Sequence, residues 1–238
     1  MIEIRDISVA FGGVTALNRV SADLGDAIVG IIGPNGAGKT TLLNVLSGFV
    51  APRSGSIRAF GVDLLAMAAH RRARWGVRRS FQTDQVVDDL TVADNVRVML
   101  DPLPLGAAVK QAEIDRALDF VGLAGRRDAP GAGLNAFERR LVELAKAVVG
   151  QPRIVLLDEP GAGLRPPEVA VLREAILAIP DRCGAMTLLI DHDVELIAAT
   201  CRSTMVLDFG ELLALGPTAA VLKDEKVKAA YLGVEAVA

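Results

Sequence analysis

A chain of 238 residues, 51% of them hydrophobic, is long enough to bury a substantial core in one large α/β domain or two small ones. The formal net charge of only −3 argues against a protein that binds nucleic acid through its overall charge. Cys183 and Cys201 have neither metal-type spacing nor a disulfide framework, which favours core residues in a reducing cytosol. The first residues are partly acidic and contain no apolar h-region, so we expect no signal peptide. No apolar run approaches the length of a membrane span, so we expect any membrane association to depend on another chain.

The first quarter of the chain has the alternation of apolar and polar residues that is typical of strands. Four strands are predicted there, over residues 2–11, 20–24, 27–32 and 56–60. Gly12-Gly13 ends the first of them, and residues 52–55 predict a turn before the last. The run at 27–32 is continuously apolar and indicates a buried strand of the parallel type, whereas the others predict antiparallel, hairpin-like pieces.

Between residues 64 and 95 the pattern is less regular and contains a cluster of basic side chains. Its members are Arg71, Arg72, Arg74, Arg78 and Arg79. Nucleic-acid binding is one interpretation, but charge runs are more often solvated faces, and the chain as a whole is acidic. Within this region residues 76–81 predict a strand that is followed by Gln82.

Residues 100–150 have helical periodicity. A helix is predicted over 109–121, with Ile114, Leu118 and Val121 on one face, and a second over 139–149. The glycine-rich residues 122–133 between them predict a loop. We expect residues 84–150 to form a helical subdomain inserted into a single domain that spans residues 1–238.

The last third of the chain alternates strands and helices. Strands are predicted over residues 153–158, 186–190, 203–207 and 211–215. A helix begins at Pro166-Pro167 and reaches about residue 179, because proline is tolerated in a first turn, and two short helices complete the chain. The predicted fold is an α/β fold with a mixed sheet and an antiparallel β subdomain at the N-terminus.

The buried strand at 27–32 leads into the most informative motif. The spacing Gly33-x-x-x-x-Gly38-Lys39-Thr40 is that of a phosphate-binding loop. Glycines let backbone N–H groups converge on an anion, Lys39 supplies a charge to the β and γ phosphates, and the Thr40 hydroxyl suits Mg²⁺. The alternative is a glycine-rich turn without a ligand, but a strand before and a helix after the motif favour phosphate binding. We therefore predict that the chain binds a nucleoside triphosphate on a P-loop NTPase core.

Polar side chains follow three of the other predicted strands. Asp158 and Glu159 end one apolar strand, His192 follows a second, and Gln82 follows a third. Ligands sit at the carboxyl ends of strands in open α/β sheets, so we expect these side chains at one site. Asp158 is the candidate outer partner of Mg²⁺, and Glu159 the candidate base for an attacking water. Gln82 is a candidate for the metal's water shell and His192 for the γ-phosphate. A lone glutamine or histidine after a strand is more often a surface residue, so only the whole set of side chains indicates a site.

The order Phe11-Gly-Gly, the phosphate loop, Gln82, Leu-Leu-Asp158-Glu159-Pro160 and His192 resembles the ATP-binding-cassette (ABC) ATPases over essentially the whole chain. Further segments resemble the ATP-binding subunits of branched-chain amino-acid importers and of related amide or urea importers. They are Phe11–Leu17, Phe81-Gln82, Asp158–Leu164, Ile190–Asp193 and Ala230–Gly233.

The resemblance implies an ATPase with ATP and Mg²⁺ as its ligands. Phe11 would stack on adenine, and the nucleotide would be held by Gly33, Pro34, Asn35, Gly36, Ala37, Gly38, Lys39, Thr40 and Thr41. Glu159, His192, Gln82 and Lys39 would be catalytic, with Thr40, Gln82 and Asp158 serving the metal.

The same resemblance implies partners and a location. The chain would lie on the inner face of the cell membrane, bound to transmembrane permease subunits, with residues 86–95 and their surroundings receiving a permease helix. It would pair with a second ATP-binding subunit, and no nucleic-acid partner is expected. The solute would be chosen by the permease and any binding protein.

One segment departs from the family. Where the signature Leu-Ser-Gly-Gly-Gln is expected, this chain has Leu134-Asn135-Ala136-Phe137-Glu138. A bulky Phe137 and an acidic Glu138 are unfavourable where backbone must approach a phosphate, and Arg165 stands where the family has an aspartate. We hypothesise an asymmetric pair in which this chain's Glu159 and His192 hydrolyse ATP against a different partner's signature. The opposite site would then turn ATP over poorly.

Two other functions remain as alternatives. The altered signature favours a regulatory nucleotide-binding subunit with little hydrolysis, whereas Glu159 and His192 argue against it. A soluble cassette ATPase that acts on nucleic acid is the second alternative. The chain lacks the coiled-coil insertion or second cassette of such proteins, and its charge is unsuitable.

Overall fold

The structure is a computed structural model that describes residues 1–232, with side chains described as far as residue 230. The chain divides into two compact units, Met1–Ala73 with Leu188–Ala238, and Arg74–Thr187. The terminal segment Ala230–Gly233, which is part of the family resemblance, ends at Gly233, and that residue lies outside the described residues.

Ten strands are present in residues 1–232: β1 (Ile2–Phe11), β2 (Val14–Leu24), β3 (Ile28–Ile32), β4 (Ser54–Ala59), β5 (Val62–Asp63), β6 (Val77–Arg79), β7 (Ile154–Asp158), β8 (Met186–Ile190), β9 (Ser203–Asp208) and β10 (Glu211–Pro217).

Ten α-helices accompany them in the same part of the chain: α1 (Lys39–Ser47), α2 (Ala69–Trp75), α3 (Val92–Arg97), α4 (Ala107–Phe120), α5 (Ala136–Val148), α6 (Pro166–Leu177), α7 (Ile179–Cys183), α8 (Val194–Thr200), α9 (Thr218–Val221) and α10 (Glu225–Val227). None of the helices in residues 1–232 combines the length and apolar character needed to cross a membrane.

The first unit begins with a four-stranded antiparallel sheet in the order β2-β1-β4-β5. Strand β1 buries Ile2, Ile4 and Ile7, so its apolar residues form the inner face of this sheet. The predicted N-terminal antiparallel layer is confirmed. Two boundaries were wrong: β2 begins at Val14 rather than at residue 20, and β4 begins at Ser54, inside the predicted turn.

A second set of strands in this unit has the order β10-β9-β3-β8. Strand β3 runs parallel to β9, and β9 runs antiparallel to β10, so the pairing is mixed, as predicted. All five residues of β3 are buried, which agrees with its continuously apolar sequence.

Helix α1 is followed by its C-cap Gly48, which adopts a left-handed conformation with φ of +86°. Its last carbonyls are satisfied by Arg72, whose Nη1 donates to Leu46 O at 3.1 Å and also to Val45 O. Arg72 and Arg78 are buried, so the arginine cluster is in large part structural rather than a solvated face.

The second unit contains β6 and β7, which pair in parallel, and the helices α3, α4 and α5, which pack against one another. The predicted helix at 109–121 corresponds to α4 and is confirmed within two residues at its N-terminus. The loop predicted over 122–133 contains two short 3-10 turns. That residues 84–150 form a subdomain of their own stays a prediction.

Candidate nucleotide-binding site

The phosphate loop connects β3 to α1, as the sequence predicts, and its backbone requires glycine at two positions. Gly33 has φ of +147°, and a Cβ there would lie 2.0 Å from Leu207 O. Gly38 has φ of +100° and would place a Cβ 2.5 Å from Ala16 O. Because neither position accepts a side chain, these glycines are fixed by close backbone packing as well as by conformation.

Lys39 is the first residue of α1 and is only 7% exposed. Its Nζ donates to Gly33 O at 2.7 Å and to Pro34 O at 3.0 Å, so the ammonium group lies inside the curve of the loop. Gly38 at the N-cap provides no side-chain acceptor for the first turn of the helix. A helix start of this kind, with a cation beside it, is suited to bind an anion.

The outer residues of the loop face solvent. Asn35, Gly36 and Thr40 are exposed, and Thr41 is half-buried. Ala37 is buried and its carbonyl accepts a hydrogen bond from Gly210 N at 3.1 Å. The loop is therefore anchored on one side and accessible on the other.

Two further predicted residues lie at strand ends in the first unit. Phe11 ends β1 and is 52% exposed, which leaves its ring available for stacking. His192 is exposed and follows β8, between Asp191 and the α8 N-cap Asp193.

In the second unit Asp158 ends β7 and forms a buried ion pair that the sequence analysis missed. Asp158 Oδ2 lies 3.1 Å from Arg79 Nη2, and the two side chains are 5% and 6% exposed. The backbone N–H of Asp158 also donates to Ser80 Oγ at 3.2 Å. Burial lowers the pKa of Arg79 from its ordinary value, and the charge of Asp158 opposes that shift. Arg79 therefore holds a carboxylate rather than contributing to a basic surface.

Glu159 follows Asp158 and takes an unusual backbone conformation, with φ of +51°. A non-glycine residue in this region costs about 1–3 kcal/mol and is often found at functional sites. Glu159 Oε2 accepts a hydrogen bond from Gln82 Nε2 at 2.8 Å. The structure thus brings together two predicted residues that are 77 positions apart.

The altered signature segment also lies in the second unit, where α5 begins inside it. The sequence pattern predicts a helix from residue 139, whereas α5 begins at Ala136 because Asn135 is its N-cap. Asn135 Oδ1 accepts from Glu138 N at 2.9 Å, and Glu138 Oε2 accepts from Asn135 N at 3.0 Å. This reciprocal pair is a capping box, and its Asn-x-x-Glu spacing was readable in the sequence.

Glu138 has a second partner, since its Oε1 lies 3.0 Å from Arg126 Nε. Its charge is therefore neutralised within the unit. Phe137 lies in the first turn of α5 and is half-buried. At the start of α6, Arg165 directs its guanidinium to Glu168 at 2.6 Å, which keeps the pKa of the Glu168 carboxyl below its usual value.

The described structure therefore forms two groups of predicted residues. The first unit contains Phe11, the phosphate loop and His192. The second unit contains Gln82, which is hydrogen-bonded to Glu159, and Asp158, which precedes Glu159 in the sequence. That both groups act on one ligand stays a prediction. The glycine-rich loop between a buried strand and a helix is by itself the feature that defines a nucleotide-binding α/β protein.

Comparisons with known proteins give the family. The sequence model of the ABC transporter family matches residues 17–162, which is more than half of the chain. The ATP-binding protein LivG of high-affinity branched-chain amino acid transport in Salmonella typhimurium is 34% identical over 98% of both chains. The lipopolysaccharide export ATP-binding protein LptB of Acidithiobacillus ferridurans is 36% identical over 87% of this chain and 85% of its own.

Solved structures indicate the same family. MJ1267, an ATP-binding cassette of an ABC transporter, superposes with a TM-score of 0.87 and 26% identity over 98% of this chain and 99% of its own. The chain belongs to the ABC transporter family. It is an ATP-binding subunit, an ATPase that powers a transporter, and the predicted P-loop NTPase fold is confirmed.

Proposed function

We propose that the chain hydrolyses Mg-ATP with the residues that the sequence predicted. The phosphate loop Gly33–Thr41 binds the phosphates with Lys39 as the counter-charge, and Phe11 stacks on the adenine. Glu159 takes the proton of the attacking water, and His192 holds the γ-phosphate. The observation that carries this proposal is the hydrogen bond from Gln82 to the carboxylate of Glu159, a residue whose backbone has a positive φ. A carboxylate fixed in this way is oriented to act as a base.

The donor atoms fit Mg²⁺. Asp158 provides a carboxylate, Thr40 an exposed hydroxyl, and Gln82 an amide oxygen, because its nitrogen is already used on Glu159. All three are hard oxygen ligands, which Mg²⁺ prefers, and it usually binds one or two carboxylates together with substrate phosphates. When bound, the ion would neutralise charge on the β and γ phosphates.

We further propose that the chain pairs with a different ATP-binding subunit. In this chain Asn135 and Glu138 close the start of α5 on themselves, and Arg126 pairs with Glu138. The backbone N–H groups of Asn135 and Glu138 already donate to side chains of this helix start. They are therefore not available to bind a phosphate held by a partner subunit. The supply of a working signature would then fall to the other subunit.

We propose a permease in the membrane as the further partner and branched-chain amino acids or related small solutes as the cargo. The support is the LivG relative, which aligns over 98% of both chains. Lipopolysaccharide export is the competing cargo, because the LptB relative has a similar identity. Residues 86–95 are proposed to receive the permease, and there Val87 is 50% exposed. This location would be the cytoplasmic face of the membrane.

Mg-ATP hydrolysis by the purified chain, with Glu159→Gln beside it, is the first test. Turnover that depends on Glu159 in the isolated chain would contradict the need for a different partner and favour a homodimer. Tight ATP binding without turnover supports the asymmetric pair. In the assembled complex, the combined change Asn135→Ser, Ala136→Gly and Phe137→Gly should then raise turnover, and an unchanged rate would overturn the proposal.

The cargo is tested in cells of the source organism that lack this gene. Uptake of radiolabelled leucine should fall and return when the unchanged gene, but not the Glu159→Gln gene, is restored. Normal uptake together with a defect in the outer envelope would instead favour lipopolysaccharide export.

A further inference from the structure

Residues Phe81–Asp88, here called the Gln82 segment, are held by basic side chains of α5. Three side chains of that helix reach the segment, and they are Arg139, Arg140 and Lys146. Lys146 Nζ donates to Gln85 O at 2.7 Å and also pairs with Glu143 of its own helix at 2.7 Å. The other two side chains lie in the first turns of α5, next to Glu138.

Arg140 holds the backbone at Gln82 itself. Its Nη1 donates to Phe81 O at 3.1 Å and its Nη2 donates to Gln82 O at 2.8 Å. The guanidinium is a rigid planar fork, so two donors on consecutive carbonyls fix both the position and the orientation of that peptide. A lysine would reach one of these carbonyls but not hold both in this geometry.

Arg139 crosses the rest of the segment. Its Nε lies 2.9 Å from Asp84 Oδ1, its Nη1 lies 2.8 Å from Asp88 Oδ1, and its Nη2 donates to Val86 O at 3.2 Å. The hydrogen bond to Asp88 is the main reason that the pKa of Arg139 is raised above its ordinary value. Ion pairs near the surface contribute little to stability one by one, but a single side chain with three partners in the Gln82 segment constrains the path of that segment.

These contacts connect two functional parts of the same unit. At one end, Gln82 donates to Glu159; at the other, α5 begins with the capping box of Asn135 and Glu138. We infer that Arg139 and Arg140 are positioning residues, which hold Gln82, and through it Glu159, in fixed register with the first turn of α5. The inference rests on the proposed function of Gln82 and Glu159 in ATP hydrolysis. If nucleotide binding moves Gln82, the structure at residues 135–138 should then change as well. A partner subunit would bind at these residues.

The test is amide hydrogen exchange of the full chain with and without the non-hydrolysable nucleotide AMP-PNP and Mg²⁺. In the unchanged chain, nucleotide should alter exchange both in the Gln82 segment and at residues 134–142. In Arg140→Ala and in Arg139→Ala the change at 134–142 should be lost, while nucleotide still binds.

Two variants provide controls. Arg140→Lys keeps the charge and one donor, so part of the response at residues 134–142 should return, which a purely structural role would not require. Arg173→Ala removes a half-buried arginine of α6 that pairs with Glu174, and it should behave like the unchanged chain. Thermal unfolding of each variant identifies any that fails to fold, in which case Arg140→Lys carries the comparison.

An unchanged response at residues 134–142 in Arg140→Ala would overturn the inference, and so would the absence of any response there in the unchanged chain. A chain that does not bind the nucleotide at all would instead contradict the proposed function. A double-mutant cycle gives an independent readout in the assembled complex: if Arg140 acts through Gln82, then Arg140→Ala should cause no further loss of kcat in a Gln82→Ala background.

Discussion

Gln82 Nε2 donates a hydrogen bond to Glu159 Oε2 at 2.8 Å, and Glu159 lies in the left-handed region of the backbone with φ of +51°. The amide therefore fixes a carboxylate whose own backbone is strained. This pairing makes Glu159 the residue whose removal should most directly affect hydrolysis.

Glu159→Gln keeps the shape of the side chain and removes its charge. We expect the rate of ATP hydrolysis in the assembled complex to fall by ~10²–10⁴-fold, the usual contribution of a positioned base, with ATP affinity retained. Phosphate release and equilibrium nucleotide binding measure the two quantities. Glu174→Gln, on the exposed face of α6, is the matched control, and equal losses in both variants would contradict the role of Glu159.

The buried pair of Arg79 and Asp158 should be strongly coupled. Arg79→Met leaves the Asp158 carboxylate buried without its cation, so we expect a loss of about 3–5 kcal/mol in the free energy of unfolding. The double variant Arg79→Met, Asp158→Asn should recover much of that loss, because no uncompensated charge remains. Urea denaturation gives both values. A double variant that is less stable than Arg79→Met would show that the pair is not coupled in this way.

The capping box at the start of α5 should contribute to stability. Asn135→Ala removes the acceptor for Glu138 N, and we expect a cost of about 1 kcal/mol in the free energy of unfolding. Because Glu138 returns a hydrogen bond to Asn135, the effects of Asn135→Ala and Glu138→Ala should not be additive. Urea denaturation of both single variants and the double variant measures the coupling. Strict additivity would mean that the capping box does not form in solution.

Two glycines of the phosphate loop should respond differently to alanine. Gly33→Ala places a Cβ 2.0 Å from Leu207 O, so we expect loss of nucleotide binding and a large fall in Tm. Gly36 has φ of +82° but no atom within 4 Å of a built Cβ, so its change to alanine should cost only ~1–2 kcal/mol from conformation. Thermal unfolding and ATP binding compare them. Equal effects would indicate that conformation, not packing, decides both positions.

Cys201 should resist thiol reagents in the folded protein. It is 5% exposed, and burial raises its pKa to about 12, whereas the half-buried Cys183 has the more accessible thiol. At pH 8 we expect a thiol reagent to modify Cys183 first and Cys201 only on unfolding, measured by mass spectrometry of the labelled peptides. Rapid labelling of Cys201 under native conditions would contradict this expectation.

The raised pKa of Cys201 also makes the stability of the folded protein depend on pH. The thiol loses its proton in the unfolded chain near pH 8.5 but keeps it in the folded chain up to about 12. Stability from this group is complete below the unfolded pKa and falls as the pH rises between the two values. Between pH 7.5 and pH 10, the free energy of unfolding should therefore decrease less in Cys201→Ala than in the unchanged chain. An identical decrease would exclude a contribution from this thiol.

Local sequence was sufficient to predict those elements whose residue pattern also marks where they begin and end. The phosphate loop, β3 and α1 were predictable because a continuous apolar run, a glycine motif and helical spacing follow one another without interruption. Helix α2 and the early start of β2 were missed. The short sequence of α2 has no clear apolar face, and the first residues of β2 are exposed, so they lack the alternation of a half-buried strand.

The start of α5 shows a different limit of prediction from the sequence. The family resemblance marks Leu134–Glu138 as an altered signature, whereas its Asn-x-x-Glu spacing is also that of a helix N-cap. Glu138 was expected to present a negative charge, and the pairing with Arg126 neutralises it. The distance in sequence between these residues is short, but the pairing depends on how the turn before α5 folds.

The sequence by itself determined the nucleotide-binding chemistry, because the residues that touch a phosphate must occur at fixed spacings along one loop. Tertiary structure decided the partners of the remaining site residues. Gln82 meets Glu159, and Arg79 meets Asp158, across separations of 77 and 79 positions. Such pairs depend on which strand ends lie side by side, and hydrophobic burial sets that arrangement over the whole sheet. The character of an arginine as surface charge or buried counter-ion therefore appears only after folding.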